Sequence, residues 1–494
     1  MLTPDEYDAH DATALADLVR RGETSAGELL DRALDVARAR DPELRMLVHV
    51  DEALARRRVA EGLPDGPFRG VPFLLKDLGV ESVDFPSSGG SRLLANTRYA
   101  RDSALVDRLN AAGLVTFGRT TAPEGGIGPA TEAAVYGAPT RNPWDPARTA
   151  GGSSGGSGAA VASGVVPAAH GSDGGGSIRI PASCCGLFGF KATRARLPDG
   201  PFAGEGWAGM AIEGFLTRSV RDSAALLDVV AGPDPGAPYH APPLADTFVA
   251  ACAAPPPRLR VGVVETTFDG KAIDPEARAA VADAAALLEE LGHPVEPIGS
   301  LAPAVDVGAM MQAWTSIVAC GTALWIDAAL ARAGRALRED DIEPVARSAR
   351  EHARTVSGAD YLAAVETVHA FGRAMAGVFD GIDVLLSATL AEPPARVGRF
   401  AHDRPDYVDY RLGPDGVFAH SPFTAVFNAS GQPAASVPLY WTAEGLPVGV
   451  QLATAFGEDE RLMSLCAELE TARPWAGRRP PLSGVARSAE GGRG

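Results

Sequence analysis

Gly151-Gly152-Ser153-Ser154-Gly155-Gly156-Ser157 and Gly171-Ser172-Asp173-Gly174-Gly175-Gly176-Ser177-Ile178-Arg179-Ile180-Pro181 decide the reading of this chain. Each sets a serine in a glycine-rich loop. Glycine lets the backbone turn sharply and aim its N–H groups at one point. A serine hydroxyl becomes a nucleophile only when a base takes its proton. Upstream, Gly70-Val71-Pro72-Phe73-Leu74-Leu75-Lys76-Asp77 places a lysine behind an apolar run. Burial lowers an amine's pKa, so Lys76 is a candidate base. Ser177, Ser153 and Lys76 therefore read as a hydrolytic centre without histidine. Ser177 is the candidate nucleophile, and the N–H groups of Gly174, Gly175, Gly176 and Ser177 form a candidate oxyanion hole. Asp77 is expected to point away from the amine.

Two plainer readings compete. Gly152-Ser153-Ser154-Gly155-Gly156 fits the Gly-x-Ser-x-Gly elbow, which would make Ser154 the nucleophile and require a later acid and histidine in that order. His170, His240, His293, His352, His369, His402 and His420 follow, none in a telling local context. Ser154 is better read as a structural hydroxyl. Alternatively the glycine loops hold a nucleotide, but no Gly-Lys-Ser/Thr follows them.

The chain has 494 residues, is 46% hydrophobic and carries a net charge of −17. That charge disfavours nucleic acid as a partner. Lys76, Lys191 and Lys271 are its lysines among 45 basic residues, which makes a lysine in an apolar run notable. Cys184, Cys185, Cys252, Cys320 and Cys466 show no metal-ligand spacing, so no metal site is expected. Cys184 and Cys185 read as small buried residues. No signal peptide and no membrane span is read, so a cytoplasmic protein without a membrane partner is expected.

Residues 1–480 read as one domain. Residues 1–65 are helical: Asp11 caps one helix, Gly22 closes it, and Ser25 with Glu28 forms a capping box for the next. Residues 66–480 are the catalytic core. Strands are predicted at Leu114–Phe117, around Val165 and Val166, and at Arg258–Val264, Asp383–Thr389 and Pro447–Leu452. Asp274-Pro275-Glu276 starts a helix. With the strand before it this makes a crossover unit, and so a partly parallel sheet. Residues 304–377 read as mostly helical, with Met310, Met311, Trp314 and Trp325 as a candidate apolar pocket wall or ordinary core. Residues 481–494 read as a loose tail.

The loops resemble the amidase signature family. Arg141-Asn142-Pro143-Trp144-Asp145, Cys185-Gly186-Leu187-Phe188-Gly189-Phe190-Lys191, Asn428-Ala429-Ser430-Gly431-Gln432-Pro433 and Gly445-Leu446-Pro447-Val448-Gly449-Val450-Gln451 extend the likeness over about residues 10–480. The resemblance implies an α/β/α sandwich around a large mixed, mainly parallel sheet. It implies a Ser–cis-Ser–Lys triad in which Ser153 follows a cis peptide and relays the proton. It also implies that Asp173 and Arg179 pair to brace the nucleophile loop. Gly125, Gly126, Ile127 and Gly128 resemble the loop on the far side of the substrate. Asn428 and Gln432 are candidates for the pocket mouth. Two departures stand out. Gly174 replaces a larger residue, which suggests a looser loop, and Ala192 replaces a proline.

These readings give an amidase acting on small neutral amides, with esters and carbamates as further candidates and no cofactor. The alternative is the glutamine-hydrolysing component of a tRNA-dependent amidotransferase. Homodimer formation stays open.

Overall fold

The computed structural model describes residues 2–95, 97–302 and 304–484. The N-terminal helices form as their caps dictate. Asp11 accepts from Ala14 N–H at 3.0 Å to open Ala12–Arg20. Ser25 and Glu28 cap each other's backbone at the start of Ala26–Leu44. This region is not purely helical. A two-residue strand, β1 (Leu47–Val48), follows and pairs antiparallel with β3 (Val115–Thr120). β3 in turn runs parallel to β2 (Pro72–Lys76).

The other strands are β4 (Ala168–Asp173), β5 (Phe188–Lys191), β6 (Ile212–Thr217), β7 (Val261–Val263), β8 (Val295–Pro297), β9 (Val384–Ala388), β10 (Ala434–Trp441) and β11 (Pro447–Thr454). They form one sheet in the order β4-β6-β5-β10-β11-β9-β7-β8. Helices surround it, so the α/β architecture and the mixed sheet are as expected. The expected parallel majority is corrected. Only β9–β7 and β7–β8 are parallel, and the other five pairings are antiparallel. The crossover read from Asp274-Pro275 is real: Pro275–Glu290 links β7 to β8, with Asp274 as its cap. It represents one edge only. The short link from β10 to β11 permits only a hairpin, and β6 lies between β4 and β5.

The remaining strands keep their places with shifted ends. β4 begins at Ala168, and Val165 and Val166 are buried in the turn before it. Residues 304–377 hold the helices Val307–Ala333, Pro344–Ala353 and Gly358–Val378. Contrary to expectation, Val307–Ala333 is long and apolar enough to cross a membrane; 56% of its most apolar stretch is buried inside the protein. Gln312, Thr315, Ser316 and Thr322 interrupt its apolar run. The start of the expected tail is tied down. Arg40 donates to the carbonyls of Ser483 and Gly484, and Gly484 N–H donates to Ser163 O at 2.9 Å. Residues 485–494 lie outside the described residues.

β2 and β4 meet edge to edge without a regular ladder. At the junction Lys76 N–H donates to His170 Nδ1 at 3.2 Å. This junction brings the end of β2, the end of β4 and both glycine loops together.

Candidate active site

Every residue of β2 is buried, so its terminal side chain is delivered into the interior. Lys76 is wholly buried, with Nζ 2.6 Å from Ser153 Oγ and 2.9 Å from Ser172 Oγ. Burial pushes its amine down to about 7, although the carboxylates of Glu213 and Asp173 pull the other way. Burial alone does not make a base. Lys191 is also pushed down to about 7 by burial, but among the described residues its Nζ donates to the carbonyl of Ala192 and to no serine. Asp77 turns away as expected, accepting from Ser88 N–H at 2.8 Å and the Tyr136 hydroxyl at 2.7 Å.

Ser153 follows a cis peptide bond from Gly152 and stands just before the helix Gly155–Ala162. Glycine is required at 152, since a Cβ there would lie 2.6 Å from Ala130 N and 2.7 Å from Gly128 O. The 125–130 loop is thereby pressed against the serine loop. The backbone engages the hydroxyl of Ser154. Its Oγ donates to Ser172 O and accepts from Ser172 N–H, both at 3.3 Å. Its own N–H donates to Ser177 O at 3.2 Å and joins the two serine loops.

The loop that carries Ser177 wraps a buried carboxylate. Asp173 accepts from the N–H groups of Gly176 (2.7 Å), Ile178 (3.1 Å) and Arg179 (3.4 Å). The Arg179 guanidinium grips it through Nε at 3.0 Å and Nη2 at 2.8 Å. Burial would raise the Asp173 carboxyl, but Arg179 and Asn428 override it and hold the group well below the usual carboxylate range. The sequence expected Asn428 at the pocket mouth. Instead it is buried within this brace, donating to Asp173 O (2.8 Å), Asp173 Oδ1 (2.9 Å) and Met210 O (3.0 Å). Gln432 is likewise buried, near Met375 O. Gln451 completes the brace by accepting from Arg179 Nη1 at 2.7 Å.

This wrapping revises the candidate oxyanion hole. The Gly176 N–H is already given to Asp173. The N–H groups of Gly174, Gly175 and Ser177 have no partner among the described residues. The loop is also not loose at Gly174. A Cβ there would meet the Trp207 ring at 2.5 Å, so an indole fills the space a larger residue would take. Trp314 Nε1 donates to Gly174 O at 3.1 Å, and Thr424 Oγ1 to Gly175 O at 2.5 Å. Trp207 and Trp314 pack edge to face, 5.6 Å apart.

Ser177 is half-buried and opens onto a narrow cleft. Gly126, Ile127 and Gly128 form one wall, and Trp207, Trp314, Val417 and Phe418 much of the other. Gly125 lies elsewhere, against the Trp325 indole. Trp325 lines a separate groove with Tyr99 and Phe202. Of the expected helical wall, only Trp314 reaches the cleft.

Three participants escaped the sequence reading. Ser172 shares the Lys76 amine. His170 accepts the Lys76 N–H at Nδ1, which fixes the proton on Nε2, 2.8 Å from Glu213 Oε2. Burial and the neighbouring Lys76 hold this imidazole well below its usual pKa, so it is neutral. Register explains the pair: β4 and β6 place Ser172 opposite Glu213. No cluster of metal-ligating side chains occurs among the described residues.

A buried lysine, a serine after a cis peptide and a glycine-cradled serine meet where β2 abuts the large sheet. The chain belongs to the Amidase family, whose model matches residues 28–463. It is 38% identical over 480 residues to the 6-aminohexanoate-cyclic-dimer hydrolase of Paenarthrobacter ureafaciens, covering 96% of each chain. A solved structure of 6-aminohexanoate cyclic dimer hydrolase complexed with substrate superposes with a TM-score of 0.90 at 37% identity, covering 96% of this chain and 99% of that one. A glutamyl-tRNA(Gln) amidotransferase component from Thermotoga maritima stands further off, with a TM-score of 0.74 at 26% identity, covering 98% of each chain.

Proposed function

We propose that this protein hydrolyses the C–N bond of small amides through an acyl-enzyme on Ser177. The carrying observation is the wholly buried Lys76 amine 2.6 Å from Ser153 Oγ. Ser177 Oγ attacks the amide carbonyl while its proton passes through Ser153 to neutral Lys76. The N–H groups of Gly174, Gly175 and Ser177 face the developing oxyanion. The C–N bond breaks, and the same route returns the proton to the leaving amine. Water then attacks the acyl–Ser177 ester, giving up a proton along the same path, and the carboxylic acid departs. Esters and carbamates present a similar carbonyl to the same groups. The chain's acidic balance gives no electrostatic reason to expect tRNA as a partner.

A serine-directed fluorophosphonate followed by peptide mapping tests the assignment. Label is expected on Ser177; label on Ser154 refutes it. Turnover of an anilide or alkyl amide by the isolated chain supports the hydrolase reading. Inertness on such amides, with ammonia released from glutamine only after partner proteins are added, would replace it with the amidotransferase reading.

A further inference from the structure

Arg411 is 2% exposed, and the polar group that reaches it is the hydroxyl of neighbouring Tyr407, which is uncharged. It lies on the short helix Tyr407–Leu412 and lines the cleft that holds Ser177. Its guanidinium carbon sits 5.0 Å from the centre of the Trp314 ring, 5.4 Å from Tyr407 and 5.5 Å from Tyr410. Nε and Nη2 are buried and have no hydrogen-bond acceptor among the described residues. No carboxylate among those residues forms an ion pair with it.

The chain's other deeply buried arginines show how unusual this is. Arg179 holds a carboxylate and two amide oxygens. Arg119 donates to the carbonyls of Lys76, Val80 and Phe85. Aromatic faces offset part of a guanidinium's lost hydration, but they leave its directional N–H groups unmet. A buried, unpaired cation normally has a missing partner. Here the unmet groups belong to a residue lining the cleft where the acyl-enzyme forms.

We infer that Arg411 binds a carboxylate of the substrate, carried on a short apolar chain a few bonds from the scissile amide. This rests on the hydrolase reading and narrows it. The amide is neutral but the molecule is an anion, in place of the wholly neutral substrate expected from the sequence. The planar fork of a guanidinium matches a carboxylate in two parallel hydrogen bonds. Ile127, Trp207, Val417 and Phe418 supply apolar walls for the connecting chain, and the limited cleft keeps it short. A neutral acceptor would meet the N–H groups but leave the charge uncompensated beside three rings. Arg411 is therefore a specificity residue and takes no part in proton transfer.

Matched substrates test this. Hexanedioic acid mono-anilide is compared with hexananilide, and N-hexanoyl-β-alanine with N-hexanoylpropylamine, covering the acyl and amine sides. In at least one pair the wild-type kcat/KM should favour the acid by about ten- to a hundredfold, the worth of a hydrogen bond to a charged group. The preference should lie mainly in KM. Arg411→Gln should collapse the ratio to near one, and Arg411→Lys should recover part of it. Near-UV circular dichroism checks that each variant folds; if Arg411→Gln does not, the wild-type ratio and Arg411→Lys decide. Equal rates within both wild-type pairs, or an unchanged ratio in the variants, would overturn the inference. If wild type cleaves none of the four, the hydrolase reading is what has failed. Quenching of tryptophan fluorescence by hexanoate against hexanamide then tests the carboxylate site alone, and equal affinities would overturn it.

Discussion

Replacing Lys76 by methionine should stabilise the protein while abolishing its activity. The amine is wholly buried and its pKa falls from an ordinary value near 10.5 to about 7. Each unit is worth about 1.4 kcal/mol, so holding this lysine neutral costs folding on the order of 5 kcal/mol in neutral solution. Methionine fills a similar volume without a charge. It removes two hydrogen bonds, to Ser153 and Ser172, worth roughly 1–1.5 kcal/mol each. The net gain is about 2 kcal/mol, or roughly 2 °C in Tm for a chain of this length. The sign in pH follows. Between the folded and unfolded pKa values, the unfolded state holds one more proton than the native state at this residue. Wild-type stability from Lys76 therefore rises from about pH 7 towards pH 10, and the variant lacks that rise. Thermal melts of both proteins at pH 7 and pH 9.5 measure it. A variant less stable than wild type at pH 7, or a difference that does not shrink at pH 9.5, would refute a neutral buried amine. Amide hydrolysis by the same samples should fall by at least about a thousandfold, as expected when an acid–base relay is removed.

The wild-type pH profile of kcat/KM should show an acidic limb with an apparent midpoint near 7, rising as Lys76 loses its proton; a flat profile from pH 5 to 8 would count against Lys76 as base. Gly174→Ala drives a Cβ to within 2.5 Å of the Trp207 ring and should lower kcat by about tenfold or more, with partial recovery in Gly174→Ala/Trp207→Leu. Asn428→Ala strips donors from the buried Asp173 and should cost about 2–4 kcal/mol in urea melts while slowing the fluorophosphonate reaction at Ser177; an effect on stability alone would separate the brace from the loop.

The sequence exposed those parts of the site that are local in the chain. Ser153, Ser177 and Lys76 each sit in a short string whose glycine content or apolar run speaks for itself, and the structure gathers all three. Asn428 shows where such reading stops. Its motif was visible, but its contacts are with Asp173, more than two hundred positions away, and only the packed fold shows that it braces rather than lines. The N–H of Gly176 was misassigned for a related reason, because a glycine-rich loop does not announce which donors a buried carboxylate has already taken. Trp207 and Arg411 carried no local signal. One matters because it occupies the space a side chain at Gly174 would take, the other because its buried Nε and Nη2 meet no acceptor among the described residues. The sheet's parallel majority was inferred from the one crossover that composition made conspicuous, whereas β6 joins β4 and β5 through pairings no single segment encodes.

The sequence reading assigns no catalytic histidine, and the structure places His170 against the Lys76 backbone. Its geometry makes it a poor rival to Lys76 as the proposed base. Nδ1 is occupied by the Lys76 N–H, and the Nε2 proton is committed to Glu213. An imidazole with both nitrogens engaged has no lone pair to offer a serine, and its depressed pKa makes it a poor proton acceptor in any case. What it does hold is the backbone of Lys76, at a junction where β2 and β4 lack a regular ladder. The Lys76 amine is thus aimed at Ser153 by a neutral hydrogen bond rather than by an ion pair, which would have kept it protonated. Glu213→Gln tests this division of labour. Glutamine can still accept from Nε2 through its carbonyl, so the imidazole and the lysine should stay in place. Burial pushes the Glu213 carboxyl up to about 7, so it carries its charge through the upper part of the limb; there that charge favours the protonated amine, and removing it should move the acidic limb of the rate profile to lower pH. A limb that moves upward would show that Glu213 is not acting on Lys76 as a charge.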